Sequence, residues 1–420
     1  MTGSRPSLLE ARSVFRLRNF RYFLGARLLL TVAIQVQSVA VGWQVYDIAG
    51  DPMALGYVGL CQFLPMLVLI LPAGDLADRF NRRTLMVVSC AIEATVAAGF
   101  LLLTLFDVTA LWPFYLVLAL FGMCRALAAP AQQSLLPRVV PPAHLARAIA
   151  WNASTFQTAI IAGPAMGGAL YAFGPMAAYL ACLVFSVAVA FLFSRIDIEG
   201  PRTVPADPAA MVGSGFRRAL AGIGFIRARP IVLGAISLDL FAVLLGGATA
   251  LLPIYARDIL FVGPIGLGLL RAAPAVGAML MGVALGHRPL DRRTGPWMFG
   301  CVALFGIATI AFGVSENVYL SFAALMVLGA SDMVSVFVRT TLIQMATPDD
   351  MRGRVSAVST LFIGASNELG EFESGMTAAL FGTVPSVVIG GLGTLAVVAL
   401  WMRLFPGLRG VDRLSEIRAG

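Results

Sequence analysis

Apolar runs of roughly 20 residues or more follow one another along almost the whole chain, and only short polar joints separate them. A run of that length, wound as a helix, reaches across the hydrocarbon core of a bilayer. Inside hydrocarbon each backbone amide has to be satisfied within its own segment, so such runs are helices. The pattern predicts twelve: 20–46, 53–76, 84–106, 111–136, 147–173 and 176–195, then 231–256, 264–287, 295–314, 317–345, 354–381 and 384–404. The interval between the two sets is richer in Pro, Gly and charge. Within it Phe216, Leu220, Ile223 and Ile226 form an amphipathic piece flanked by arginines. The expected organisation is a six-helix bundle over 1–195, a cytoplasmic linker with a surface helix over 196–230, and a second bundle with a short cytoplasmic tail over 231–420.

Composition agrees with this reading. Of 420 residues, 59% are hydrophobic and 12% charged, and the mean hydropathy is +0.87. A soluble domain carries about 25% charged residues, so a wholly water-facing surface is excluded. The net charge is +8, and all 30 basic residues are Arg. With the N-terminus placed inside, nearly all arginines fall in cytoplasmic joints; Arg257 alone falls in an external loop, and Arg27, Arg125, Arg271 and Arg339 lie within spans. That asymmetry predicts both termini in the cytoplasm of a bacterial inner membrane. It also accounts for the basic charge without a nucleic-acid partner. The basic start leads into a long first span rather than the short apolar region of a cleavable signal. Cys61, Cys90, Cys124, Cys182 and Cys301 sit in apolar spans without paired spacing, and His144 and His287 are far apart in predicted loops, so neither a disulfide framework nor a metal site is expected.

A repeat runs through the chain at offsets close to half its length. Leu120-Phe121-Gly122-Met123-Cys124-Arg125 aligns with Val327-Leu328-Gly329-Ala330-Ser331-Asp332, Ser134-Leu135-Leu136 with Thr341-Leu342-Ile343, and Arg82-Arg83-Thr84 with Arg292-Arg293-Thr294. The fold class this implies is an all-α membrane protein with two pseudo-symmetric six-helix bundles. Parallel repeats of this kind hold a substrate site near the bilayer midplane.

Between helices two and three stands Gly74-Asp75-Leu76-Ala77-Asp78-Arg79-Phe80-Asn81-Arg82-Arg83. The stretch resembles the loop motif of the major facilitator superfamily, with Asn81 where that family has Gly. Asn tolerates the left-handed backbone better than most residues, so the turn survives the change. The resemblance implies a conformational latch made of Gly74, Asp78, Arg79, Arg82 and Arg83, with Asp78 against a helix N-terminus, where a carboxylate gains from the dipole. In helix five, Gly163-Pro164-Ala165-Met166-Gly167-Gly168 resembles the signature of the family's drug and siderophore antiporters; its small residues also suit ordinary close helix contact. Helix number, loop charge and repeat extend the resemblance over the whole chain. Within the superfamily the chain is most similar to the group that holds bacterial enterobactin exporters.

Charges inside spans are the candidate chemistry. Even the lenient insertion scale charges about 2.5 kcal/mol for each, so they face a cavity or a partner. Asp239 lies in helix seven and Asp332 in helix ten; helix eleven carries Asn367-Glu368-Leu369-Gly370-Glu371-Phe372-Glu373. Glu368 and Glu371 are three residues apart and share a helical face. Two carboxylates so placed disfavour double ionisation and exchange protons as a pair. Glu371 with Glu368, then Asp239 and Asp332, are the proton-coupling candidates. Arg27, Gln37, Arg125, Asn367 and Glu373 are the substrate-cavity candidates. Arg125 and Asp332 match in the repeat, which suggests a basic wall from the first half facing an acidic wall from the second. Arg271 and Arg339 read as structural pairing or as snorkelling to the interface.

The expected function is secondary active export of a small amphipathic or anionic molecule, siderophore-like or drug-like, by proton antiport with alternating access. The expected partners are that small molecule, protons and the lipid bilayer, with no cofactor, and the chain is expected to act as a monomer. A facilitator or importer of the same fold is the alternative. A membrane enzyme would need a nucleophile with a base or a metal cluster, and a scaffold would not need five acids in the spans of one half.

Overall fold

The computed structural model describes residues 14–79, 82–197, 222–288, 290 and 292–413, with the backbone alone at 70–79, 82, 83, 129–131, 133, 134, 349 and 350. Twelve long helices run through the described residues: α1 Arg18–Ala49, α2 Pro52–Arg79, α3 Arg82–Leu105, α4 Leu111–Val139, α5 Leu145–Ala172, α6 Pro175–Ser194, α7 Pro230–Leu245, α8 Gly263–His287, α9 Thr294–Gly313, α10 Val318–Ala346, α11 Asp349–Phe381 and α12 Thr383–Leu404. This is the all-α, twelve-helix fold that the hydrophobic pattern predicts. Ten of the stretches are long and apolar enough to cross a membrane. The other two, α5 and α11, have 28 and 33 residues, long enough to span at about 1.5 Å rise per residue. Polar residues interrupt their apolar runs: Asn152, Gln157 and Thr158 in α5, and Asn367, Glu368, Glu371 and Glu373 in α11. Proline opens α2, α6 and α7, where a missing N–H costs nothing.

Two compact units divide the chain: Met1–Val41 with Leu64–Val212, and Gly42–Phe63 with Gly213–Gly420. Helices α1 and α2 are therefore each shared between units. In the first unit α3 lies between α4 and α6, around a core that includes Phe20, Phe23, Met86, Leu135 and Phe193. Gly163 and Gly167 of α5 meet α1: a methyl on Gly163 would lie 2.6 Å from Gln35 Cβ, and one on Gly167 2.9 Å from Val36 Cα. The antiporter-like motif thus lets two helix backbones approach closely, with Pro164 inside α5.

In the second unit α8 and α9 flank α10, α12 lies on α9, and α11 and α12 cover α7. Its core includes Val232, Leu238, Phe299 and Val338, and buried Ile226 joins it, with Ile223 and Phe225 beside it. Half of the amphipathic linker piece therefore covers this core; Phe216 and Leu220 lie outside the described residues. The seventh span is not the continuous helix its apolar run predicts. It stops at Leu245, and the chain continues through short turns, the last a π-type turn at Tyr255–Ile259. Gly246 and Gly247 explain the stop, since a methyl on Gly247 would lie 2.6 Å from Gly370 O of α11.

Candidate functional site

The densest charge within the second unit lies on α11. Glu368 is 9% exposed and Glu371 half-buried, while Asn367, one residue earlier, is exposed. Arg271 of α8 is within electrostatic reach of Glu371 first and Glu368 second. The α2 face opposite is glycine: a methyl on Gly59 would lie 2.9 Å from Glu371 Cβ and 3.0 Å from both Glu371 Oε2 and Glu368 O. Gly42 of α1 sits over Arg271, its methyl position 3.8 Å from Nη1. Glu373 is half-buried one turn from Thr377, whose hydroxyl donates to Glu373 O at 2.9 Å. Glu368 and Glu371 are thus both within electrostatic reach of a cation from α8.

Asp239 and Asp332 form a second locus, between α7 and α10. Asp239 is ion-paired with Arg339, and both are buried. A narrow cleft of about 10 Å³ is lined by both aspartates, Ser331, Ser335, Val302 and Phe305. A single water needs about 10–15 Å³ of such space, so the cleft suits a proton, a water or a small ion at most. Arg339, in the C-terminal part of α10, is thus structurally paired.

The first unit holds the remaining candidates. The Arg27 guanidinium lies 4.5 Å from the centre of the Phe156 ring, a cation–π contact, and Thr31 donates to Arg27 O at 2.9 Å. Arg27 Nε, Gln37 Oε1 and Asn152 Oδ1 are buried without a hydrogen-bond partner among the described residues. Arg125 lies near the Phe121 ring at 5.8 Å and within electrostatic reach of Glu93. Glu93, 2% exposed, hydrogen-bonds Cys124, whose Sγ also lies 3.0 Å from Ser89 O. Buried polar atoms cost free energy unless paired, and here they gather on α1, α3, α4 and α5. No group of three metal-binding side chains occurs among the described residues.

A further charged group joins the end of α1 to the π-type turn, within the second unit. Tyr46 donates to the Asp258 carboxylate, Arg257 pairs with Asp47 at 2.8 Å, and the Arg257 guanidinium lies 5.6 Å from the Tyr46 ring. The proposed latch, Gly74, Asp78, Arg79, Arg82 and Arg83, falls where side chains lie outside the described residues.

A profile of proteins described as transmembrane secretion effectors matches residues 10–415, nearly the full chain. The chain belongs to this family of major facilitator transporters. Among curated proteins it is similar to the enterobactin exporter EntS of Citrobacter koseri, 25% identical over 411 residues that cover 96% of this chain and 94% of that one. The Shigella boydii exporter matches at the same identity and coverage. Among solved structures it shares its fold with the nucleoside transporter NupG, at TM-score 0.71 and 12% identity, covering 92% of this chain and 99% of that one. A bacterial homologue of the iron transporter ferroportin, in an inward-facing state, gives TM-score 0.68 at 19% identity, covering 97% and 100%.

A transmembrane secretion effector is a multi-pass membrane transporter that handles small molecules, not an enzyme. Three features of this one escape sequence reasoning. Glu93 stands out as the acid in the middle of a first-half span, but its Arg125 and Cys124 neighbours require the fold. Arg271 reads as peripheral from its place near a helix end, yet faces the glutamates. The Tyr46–Asp258 and Asp47–Arg257 contacts join residues 212 and 210 positions apart; the one signal for them is that Arg257 is the lone arginine in the predicted external loops.

Proposed function

We propose that the protein exports a siderophore-like, amphipathic anion from the cytoplasm across the bacterial inner membrane, in exchange for protons that enter, and that it acts as a monomer. The observation that carries the coupling is the Glu368–Glu371 pair facing Arg271 beneath the glycines of α1 and α2. Family membership and whole-length likeness to enterobactin exporters support the direction and the substrate class. In this reading both termini and the 196–230 linker are cytoplasmic, and the two six-helix repeats are the moving bodies. Gly74, Asp78, Arg79, Arg82 and Arg83 latch them on the inner side. The cationic and polar side chains of the first half (Arg27, Gln37, Arg125) attract the anion, while Asn367 and Glu373 offer polar contacts from α11. Residues 42–63, grouped with the C-terminal helices, have to part from them for the outward-open state.

The test uses enterobactin as the probe, with inverted vesicles carrying the purified chain. Uptake should follow an imposed pH gradient, acid inside, and collapse with an uncoupler. Glu371→Gln, shaped like the protonated form, should lose gradient-driven uptake and retain exchange of enterobactin against itself. Full gradient-driven uptake by Glu371→Gln removes it from the coupling role. A second reading places coupling at Asp332, favoured by the narrow cleft it lines with Ser331 and Ser335; loss of coupling in Asp332→Asn alone selects it.

A further inference from the structure

Helix α10 carries three buried serines, Ser321, Ser331 and Ser335. Two of them are bonded. Ser321 donates to the Ser315 hydroxyl at 3.0 Å, and Ser331 to Val327 O at 2.8 Å, the common bond of a helical serine to the carbonyl four residues back. Ser335 is the exception: it is 4% exposed, lines the cleft between α7 and α10, and its hydroxyl has no hydrogen-bond partner among the described residues. Asp332, one turn earlier, lines the same cleft with neither an ion pair nor a hydrogen bond among those residues. Asp239 lines it from α7, already paired with Arg339. Ala242 and Val243 of the last turn of α7 complete that wall, at the helix end whose dipole favours a cation. From α9 come Val302 and Phe305, both apolar. A buried oxygen left without a partner calls for a water or an ion.

We propose that Asp332, Ser335 and Asp239 hold one dehydrated alkali cation in this cleft, for which sodium is the probe. With both aspartates and Arg339 ionised, the locus carries one net negative charge, and an unpaired buried charge is costly. A proton cancels that charge but leaves the space unfilled. A water fills the space and leaves the charge. A monovalent cation does both and gives the Ser335 oxygen a partner, whereas a divalent one would reverse the excess. Every donor side chain is oxygen, which suits a hard ion, and a space of about 10 Å³ admits it only without its water shell. The ion thereby ties α7 to α10, both within the second unit. The site takes a ligand other than the proton and does not rest on the coupling role of α11.

Binding of radioactive sodium to the purified full chain in detergent tests this, with choline holding the ionic strength constant. The parent should bind one sodium per chain and saturate, and sodium should raise its melting temperature where equal choline does not. Asp332→Asn should abolish both effects. Ser335→Ala removes one oxygen and no charge. It should weaken binding about tenfold, the lower end of what losing a supporting group costs a metal site, while its melting temperature in choline stays at the parent's value. Should Asp332→Asn fail to fold, Ser335→Ala decides alone. A parent without a saturable sodium site, or parent-like binding by either variant, overturns the assignment. So does binding that Glu371→Gln loses and Asp332→Asn retains, which places the ion on α11. The measurement reads binding, not flux. A chain that binds sodium as described but shows no gradient-driven export defeats the antiport reading and leaves the site standing; a proton-coupled exporter that binds no sodium defeats the site alone.

Discussion

Asp239 and Glu371 are both acids within spans, and their surroundings set them apart. Asp239 is held by the buried Arg339, a pair in which removing one partner strands the other charge. Asp239→Asn should therefore lower stability by about 3–5 kcal/mol, seen as a drop in the melting temperature of the purified protein, while the folded fraction keeps its coupling. A variant that melts like the parent but loses gradient-driven transport would make Asp239 a coupling residue instead. Glycine carries equally specific demands. Gly167→Ala puts a methyl 2.9 Å from Val36 Cα, so α1 and α5 must move apart at a cost of about 1–3 kcal/mol. Thermal unfolding checks it, and an unchanged melting temperature would show that the helices separate freely. Residues such as these were visible in the sequence as charges and glycines in apolar runs. Their partners were not, because Asp239 and Arg339 are 100 positions apart, and only tertiary contact pairs them.

At the scale of elements, hydrophobic pattern and punctuation located the helices closely, because Pro and Gly mark their ends: α6 opens at Pro175 after Gly174, whose φ of 111° suits glycine. The seventh span is the exception. Its apolar composition says helix as far as 256, but Gly247 lies against α11 and the chain leaves the helix at Leu245. Hydropathy cannot register a backbone contact of that kind. The turn that follows carries Arg257 and Asp258 to the end of α1. These ionic side chains are 39–55% exposed, so the pairs contribute at most about 1 kcal/mol. That is too little to matter for folding. It is enough, though, to shift a two-state equilibrium about fivefold. Arg257→Ala should leave the melting temperature nearly unchanged and raise about fivefold the rate at which an impermeant maleimide labels a cysteine replacing Leu55, in a chain without its native cysteines. Leu55 is buried one turn before Gly59 on the same side of α2. Equal labelling in both chains would remove any role for this cluster in opening.

For the molecule as a whole, the half-length repeat and the arginine distribution carried the fold, since both reflect constraints that act along the entire chain. The same arginines predict the orientation. Reporter domains fused after residue 420 and inserted within 196–230 should both register as cytoplasmic, and a periplasmic signal from either would reverse the direction assigned to transport. The site was only half legible: which carboxylates lie in spans is written in the sequence, while the cation that faces them and the glycines that cover them are set by how α1, α2, α8 and α11 meet. Substrate selection is a matter of pocket shape drawn from many helices and has no local signature. The most direct test of the account is enterobactin flux into inverted vesicles under an imposed pH gradient, comparing the parent with Glu371→Gln. The account predicts uptake that an uncoupler abolishes in the parent, and in the variant no response to the gradient with self-exchange intact. Uptake indifferent to the gradient in the parent, or equally driven by it in the variant, would contradict proton coupling through α11.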